Sequence, residues 1–268
     1  MYNKKITLSN GVEIPQLGLG TWLVEDEDVA EVVKNAIDIG YRHIDSAQAY
    51  GNERGVGEGI RKSGVPREEL FIVSKVAAEI KTYEEAKKSI DESLGKMQLD
   101  YLDLMIIHSP QPWALVGQSD DRFFEGNREV WKALEEAYKD GKVKAIGVSN
   151  FVFEDIENIL EVAEIKPMIN QICIHIGNTW MDLINFCKDK DMAVEAYSPI
   201  AHGNILNDER ISEIAEKYNV SVAQLCIKYL LQLGLIPLPK TLNPDHMKSN
   251  TEVDFEISDE DMEVLKNL

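Results

Sequence analysis

Positive charge, cysteine and long hydrophobic runs are all scarce in this chain. Against 47 Asp and Glu stand only 28 Lys and Arg, a formal net charge of −19 over 268 residues. That balance excludes a broad basic surface for nucleic acid or an anionic membrane, and any anionic ligand must find local positive groups. The three cysteines, Cys173, Cys187 and Cys226, are odd in number, far apart and set among apolar neighbours. They read as buried thiols in a reducing compartment, not as a disulfide framework or a metal site. No stretch approaches membrane-spanning length. The opening "MYNKKITLSNG" has two lysines with no apolar segment behind them, unlike a signal peptide. A cytoplasmic protein is expected.

Missing too is any linker rich in Pro, Gly or Ser, or any break in composition, so residues 1–268 are read as a single domain with a substantial core (44% hydrophobic). "ITLSNGVEIP" places Asn10-Gly11 between two short strand-like runs, a hairpin signal. Eight apolar runs follow: "LGLGTW", "HIDSA", "LFIVSK", "LDLMIIHS", "AIGVSN", "PMINQICI", "AVEAYSP" and "LIPLPKT". Segments such as "TYEEAKKSIDESLGKM" and "ERISEIAEKYNVSVAQLCIKYLLQLG" lie between them, with apolar residues at helical three- and four-residue intervals. "SDEDMEVLKNL" closes the chain with a serine N-cap and an acid three residues later. Eight strand–helix units predict a closed (β/α)₈ TIM barrel behind an N-terminal β-hairpin, with a doubly wound open sheet as the alternative. Nearly every run ends in a polar group, including Thr21, Asp45, Lys75, His108, Asn150, Gln171, Tyr197 and Lys240. In such a barrel the C-terminal strand ends converge on one rim, where active sites sit.

"HIDSAQAYGNERGVGEGI" tests two chemistries. Its glycines do not make a dinucleotide fingerprint, because Gly55, Gly57 and Gly59 alternate and Ile60 takes the third-glycine position. Close helix–sheet packing explains them better. What remains is Asp45 at a strand end and Tyr50 just beyond it. Joined to Lys75 and His108 on the next two strands, they form a coherent acid–base set. A phenol with pKa about 10 donates sluggishly at neutral pH. A neighbouring ammonium stabilises the phenolate, and a carboxylate keeps that ammonium charged and oriented. A neutral imidazole supplies a hydrogen bond to a carbonyl. The histidines 108, 175, 202 and 246 show no metal-ligand spacing, and no metal is implied.

These residues resemble the aldo-keto reductase family. "ITLSNGVEIPQLGLGTW", "GYRHIDSAQAYGNERGVGEGI", "LFIVSKV", "LDLMIIHSP", "IGVSNF", "INQ", "EAYSP" and "IPLPKT" match its motifs in order over essentially the whole chain. The resemblance implies a barrel that binds NADP(H) in extended form at the C-terminal rim, with NAD(H) also admitted, and reduces an aldehyde or ketone. Its catalytic tetrad falls on Asp45, Tyr50, Lys75 and His108. Tyr50 is then the general acid, its pKa lowered by Lys75, which Asp45 holds, and His108 orients the carbonyl. The implied nicotinamide contacts are Ser149, Asn150, Gln171 and the stacking Tyr197. Ser198 and Ile200 fall in the pyrophosphate segment, and Thr21 and Trp22 at the first strand end are counted with the cofactor site. Lys240 and Thr241 match the pair at the adenosine 2′-phosphate, and His246 and Asn250 lie near the adenine.

Some positions depart from the family's pattern. His246 stands where an arginine is frequent, which weakens the expected preference for NADPH. Ala77 and Ser109 replace aromatic residues beside the tetrad, so with Trp22 and Trp113 as walls a wide substrate mouth is expected. The partner implied is a small-molecule carbonyl compound, with no nucleic acid or membrane, and the chain is expected as a monomer or weak oligomer. A non-catalytic NADP(H)-binding regulatory protein on the same barrel is the alternative reading.

Overall fold

The structure, a computed structural model, describes residues 2–268. The hairpin is formed by β1 (Lys5–Thr7) and β2 (Glu13–Pro15), paired antiparallel with Ile6 opposite Ile14. Gly11 turns it with φ at +86°, and Asn10 Oδ1 accepts from the Val12 N–H at 3.1 Å. Gln16, just after β2, donates to the carbonyls of Leu231 and Leu235 at 3.1 and 3.0 Å, which ties the hairpin to the barrel.

Eight parallel strands follow: β3 (Leu19–Gly20), β4 (His43–Asp45), β5 (Phe71–Val76), β6 (Leu104–Ile107), β7 (Ile146–Ser149), β8 (Ile169–Cys173), β9 (Ala193–Tyr197) and β10 (Ile236–Leu238). Each pairs with its sequence neighbour. The first returns to the last through the Gly18 and Gly20 N–H groups, which donate to the carbonyls of Pro237 and Pro239 at 3.2 and 3.0 Å. The expected (β/α)₈ barrel is therefore present, and the open-sheet alternative is not.

The strands are wrapped by α1 (Asp26–Ile39), α2 (Glu53–Ser63), α3 (Tyr83–Met97), α4 (Phe124–Lys139), α5 (Phe153–Leu160), α6 (Met181–Asp189), α7 (Glu209–Lys217) and α8 (Val222–Gln232), with α9 (Pro244–Ser249) and α10 (Asp259–Lys266) closing the chain. The long helical pattern before the last strand divides into α7 and α8. Asn219 takes φ +54° there, and Ser221 caps α8 in a reciprocal box with Gln224. Ser258 caps α10 by accepting from the Asp261 N–H. The Asp261 carboxylate does not reach back to the cap but binds Lys217 and the Tyr218 hydroxyl, both at 2.6 Å, which docks α10 on α7.

The α2 glycines correct the expectation of helix–sheet packing, because their neighbours are helices. A Cβ on Gly55 or Gly59 would lie 2.3 or 2.5 Å from a carbonyl of α1, and one on Gly57 would lie 2.1 Å from the Met97 carbonyl of α3. Glycine in a helix interior costs about 1 kcal/mol relative to alanine, and here it permits backbone contact on both flanks.

Candidate active site

Strand alternation fixes which side chains enter the barrel. On β4, His43 and Asp45 share one face and Ile44 the other. Lys75 on β5, Gln171 on β8 and Glu195 on β9 meet the first two inside the barrel, all buried. Lys75 Nζ donates to both oxygens of Asp45 at 2.7 Å, to the Ser46 carbonyl at 2.9 Å and to the Tyr50 hydroxyl at 3.2 Å.

Tyr50 reaches that ammonium because the chain turns sharply after β4. Gln48–Tyr50 form one 3₁₀ turn, and Gly51 ends it with φ at +70°. Asn52 then pins the turn, donating to the carbonyls of Thr21 and Val24 at 2.9 Å while its oxygen accepts from the Ser46 hydroxyl. His108, one residue past β6, stands edge-on to Tyr50, with ring centroids 5.6 Å apart.

Electrostatics sort Lys75, His108 and Tyr50. Burial is the largest single influence on Lys75 and disfavours its charge, but the net shift is upward, with the Asp45 carboxylate the largest of the raising causes, so the ammonium persists. Burial lowers the His108 imidazole to about 3, helped by the Lys75 charge, so the ring is neutral. For Tyr50 the balance runs opposite to expectation. Burial raises its pKa, and the Lys75 charge only partly offsets that. The phenol therefore keeps its proton at neutral pH.

Above these groups opens a cavity of about 830 Å³, within the range of small-molecule sites. Asp45, Tyr50 and His108 reach its wall, while Lys75 lies wholly buried beneath. Trp22, Ser149, Asn150, Gln171, Tyr197, Ser198, Ile200 and Lys240 also line it. Ser149 donates to the Gln171 carbonyl at 2.8 Å, and Tyr197 donates to Asn150 Oδ1 at 2.7 Å. Trp113 lies against His108, with centroids 5.0 Å apart.

The other expected residues lie outside the cavity wall. Thr21 is buried, with its hydroxyl donating to the Asp45 carbonyl at 2.9 Å. Thr241 and His246 fall on the surface segment and short helix beyond Lys240, and Asn250, buried, caps the C-terminal end of that helix. Ala77 and Ser109 require a correction as substrate walls, since neither lines the cavity. Ser109 is 2% exposed, its hydroxyl accepts from the Gln111 N–H, and its carbonyl accepts from Lys81 at 3.2 Å. Lys81 also donates to Asn127 Oδ1 at 2.8 Å, and Arg122 binds Asp155, so the loop after β6 is fastened with Trp113 inward.

Sequence reasoning missed His43, Glu195, Leu23 and His202. The last two line the cavity, and His202 packs edge-on to Trp22, with centroids 5.5 Å apart. Glu195 did leave a signal, an acid in the middle of the apolar run "AVEAY".

A parallel eight-stranded barrel whose C-terminal rim joins a buried lysine–carboxylate pair to a phenol beside a neutral imidazole defines a carbonyl oxidoreductase site. The profile of the Aldo/keto reductase family matches residues 16–268, and the chain belongs to that family. It is 45% identical over 265 residues to Glyoxal reductase of Bacillus subtilis, covering 98% of this chain and 92% of that protein. The crystal structure of an aldo/keto reductase from Brucella melitensis superposes with a TM-score of 0.92 at 35% identity, covering 99% of each chain. That of a Bombyx mori aldo-keto reductase in complex with NADP superposes with a TM-score of 0.89 at 32% identity, covering 100% of this chain and 93% of that one. The protein is an oxidoreductase acting on carbonyl compounds.

Proposed function

We propose that the chain reduces aldehydes or ketones to alcohols with NADPH, reversibly, and that Tyr50 is the proton donor. One observation carries this reading: a single buried ammonium, Lys75, bridges the Asp45 carboxylate and the Tyr50 phenol at the wall of an open cavity. When bound, the reduced nicotinamide supplies the hydride.

The donor set fits such a cofactor. Tyr197 offers a ring at the wall, and Ser149, Asn150 and Gln171 are polar groups beside it. Lys240 brings the local positive charge that an anionic ligand needs on a chain of net charge −19. Its ammonium suits a 2′-phosphate, so NADPH is preferred over NADH. His108, neutral, hydrogen-bonds the carbonyl oxygen and holds it near Tyr50. As charge grows on that oxygen, the phenol gives up its proton. Lys75 lies 3.2 Å from the phenol oxygen and stabilises the phenolate that remains. Asp45 keeps Lys75 charged and aimed. For alcohol oxidation the same groups run in reverse, with Tyr50 accepting the proton.

Small aldehydes and dicarbonyls are the proposed substrate class, in keeping with the relative named Glyoxal reductase and with apolar walls at Trp22 and Trp113. The test is NADPH and NADH oxidation measured in parallel over a panel of glyoxal-type dicarbonyls, simple aldehydes, sugars and cyclic ketones. Turnover of the small carbonyls with NADPH is expected. NADPH binding without turnover on any carbonyl would instead identify a cofactor-binding regulatory protein.

A further inference from the structure

Beneath the Asp45–Lys75 pair the barrel holds a second carboxyl group to which the proton transfer assigns no step. Glu195 is fully buried. Its Oε2 accepts from Gln171 Nε2 at 2.8 Å, and the same Nε2 donates to Asp45 Oδ1 at 2.8 Å. Its Oε1 lies 3.4 Å from His43 Nε2, and neither of these two buried atoms has a hydrogen-bond partner. At the far side of the imidazole, His43 Nδ1 stands 3.2 Å from the Pro15 carbonyl, which can only accept.

Proton counting then constrains the pair. Nδ1 carries the hydrogen that faces Pro15, so a neutral His43 presents a bare lone pair at Nε2. An ionised Glu195 would set two acceptors against each other in a dry interior, at a cost in desolvation with nothing to offset it. One proton must lie between them. The charged and titratable groups that face the pair are Asp45, Lys75 and Tyr50, with Gln171 as the neutral bridge. Asp45 already matches the one cation among these, Lys75, so no second cation is present to balance a Glu195 carboxylate unless His43 itself is charged. Burial is the largest influence on both, raising Glu195 to about 8 and lowering His43 to about 4, each toward its uncharged form.

We propose that Glu195 is held as a carboxylic acid whose O–H donates to His43 Nε2, and that this neutral pair is a positioning element of the reductase site. The proposal rests on the function given above for its kinetic consequence, though not for the protonation state. With Glu195 and Asp45 each accepting one Nε2 hydrogen, the Gln171 amide is locked. Its carbonyl oxygen is left for the cavity, and Asp45 is steadied beneath Lys75. An uncharged Glu195 also leaves Asp45 as the only anion acting on the Lys75–Tyr50 pair.

The test combines infrared difference spectroscopy with kinetics on Glu195→Gln and Glu195→Leu. The wild-type protein without cofactor or substrate should show a protonated-carboxyl C=O band at neutral pH that Glu195→Gln removes. Carboxylate bands in that difference spectrum would overturn the proposal, whatever becomes of the role given to Tyr50. Glu195→Leu frees the Gln171 amide and should lower kcat about tenfold or more. Glu195→Gln restores both hydrogen bonds and should recover most of that loss. Its pH profile for alcohol oxidation should keep the wild-type apparent pKa. A downward displacement of about one pH unit in Glu195→Gln would mean that a negative charge had been removed, and wild-type kcat in Glu195→Leu would mean that nothing is positioned. Either result overturns the proposal. Should Glu195→Leu fail to fold, the spectrum and the Glu195→Gln profile decide.

Discussion

The floor and the rim of the active-site cavity are built by opposite rules. At the floor Lys75 is fully buried and donates to four oxygens, and Gln171 bridges two acids. At the rim Trp22 and Trp113 remain 46% and 43% exposed, and Lys240 is exposed too. Buried polar groups are tolerated only when satisfied, so a network like the floor has one workable arrangement. Exposed aromatics and a solvated ammonium tolerate many. The difference teaches that reaction chemistry is set where water is excluded, and substrate and cofactor choice where it is not.

The floor should break hardest. Lys75→Met removes the ammonium that holds Tyr50 and leaves Asp45 buried with only Gln171 as a polar partner. Carbonyl reduction should fall by about 10²- to 10⁴-fold, and stability by about 3–5 kcal/mol, read by steady-state assay and denaturant unfolding. A variant as stable as wild type would show that Asp45 finds water once Lys75 is gone.

A milder change at the floor concerns pH. The folded-state pKa of Glu195, about 8, lies above its ordinary value of 4.5. Its contribution to stability is therefore full below pH 4.5 and is lost as pH rises through about 8. Glu195→Gln cannot ionise, so its melting temperature should decline less than that of wild type between pH 5 and about 8. Parallel declines would mean that Glu195 is ionised in the folded protein.

Rim changes should be smaller and should divide kcat from KM. Trp113→Ala removes an edge-on contact with His108, and such contacts contribute about 0.5–1.5 kcal/mol. KM for aromatic or cyclic carbonyls should rise by about tenfold at most, with kcat little changed. A collapse of kcat would place Trp113 with the floor. Smallest of all, His246→Arg adds a planar donor beyond Lys240 and should tighten NADPH binding by about tenfold or less while leaving NADH unchanged. Equal tightening of both, in a fluorescence titration, would remove His246 from the 2′-phosphate.

The same division explains what the sequence disclosed. Asp45 and Lys75 were legible because charged side chains close apolar runs and strand alternation leaves little freedom in where they point, whereas Tyr50, in the turn after β4, and His108, one residue past β6, were read from their place beside those runs and from the family's motifs. Glu195 sat in plain view within "AVEAY", yet a single acid in a strand does not say whether it faces the barrel or the helices. His43 was hidden likewise, since its role depends on Pro15 and Glu195, distant in sequence. Ala77 and Ser109 misled because residues just past a strand take their direction from the loop, and Lys81 and Gln111 turn Ser109 into the protein. The α2 glycines announced close approach but not its partner, because which helix lies alongside is a property of the closed barrel. For Tyr50 the neighbouring charge was readable and the burial that outweighs it was not.

The central claim is that Tyr50, held by Lys75, delivers the proton. The most direct measurement is single-turnover reduction by Tyr50→Phe loaded with NADPH, with cofactor affinity taken from fluorescence titration of the same preparation. The account predicts that affinity stays at the wild-type value while the reduction step slows by about 10²- to 10⁴-fold. Full-rate reduction by Tyr50→Phe would contradict it.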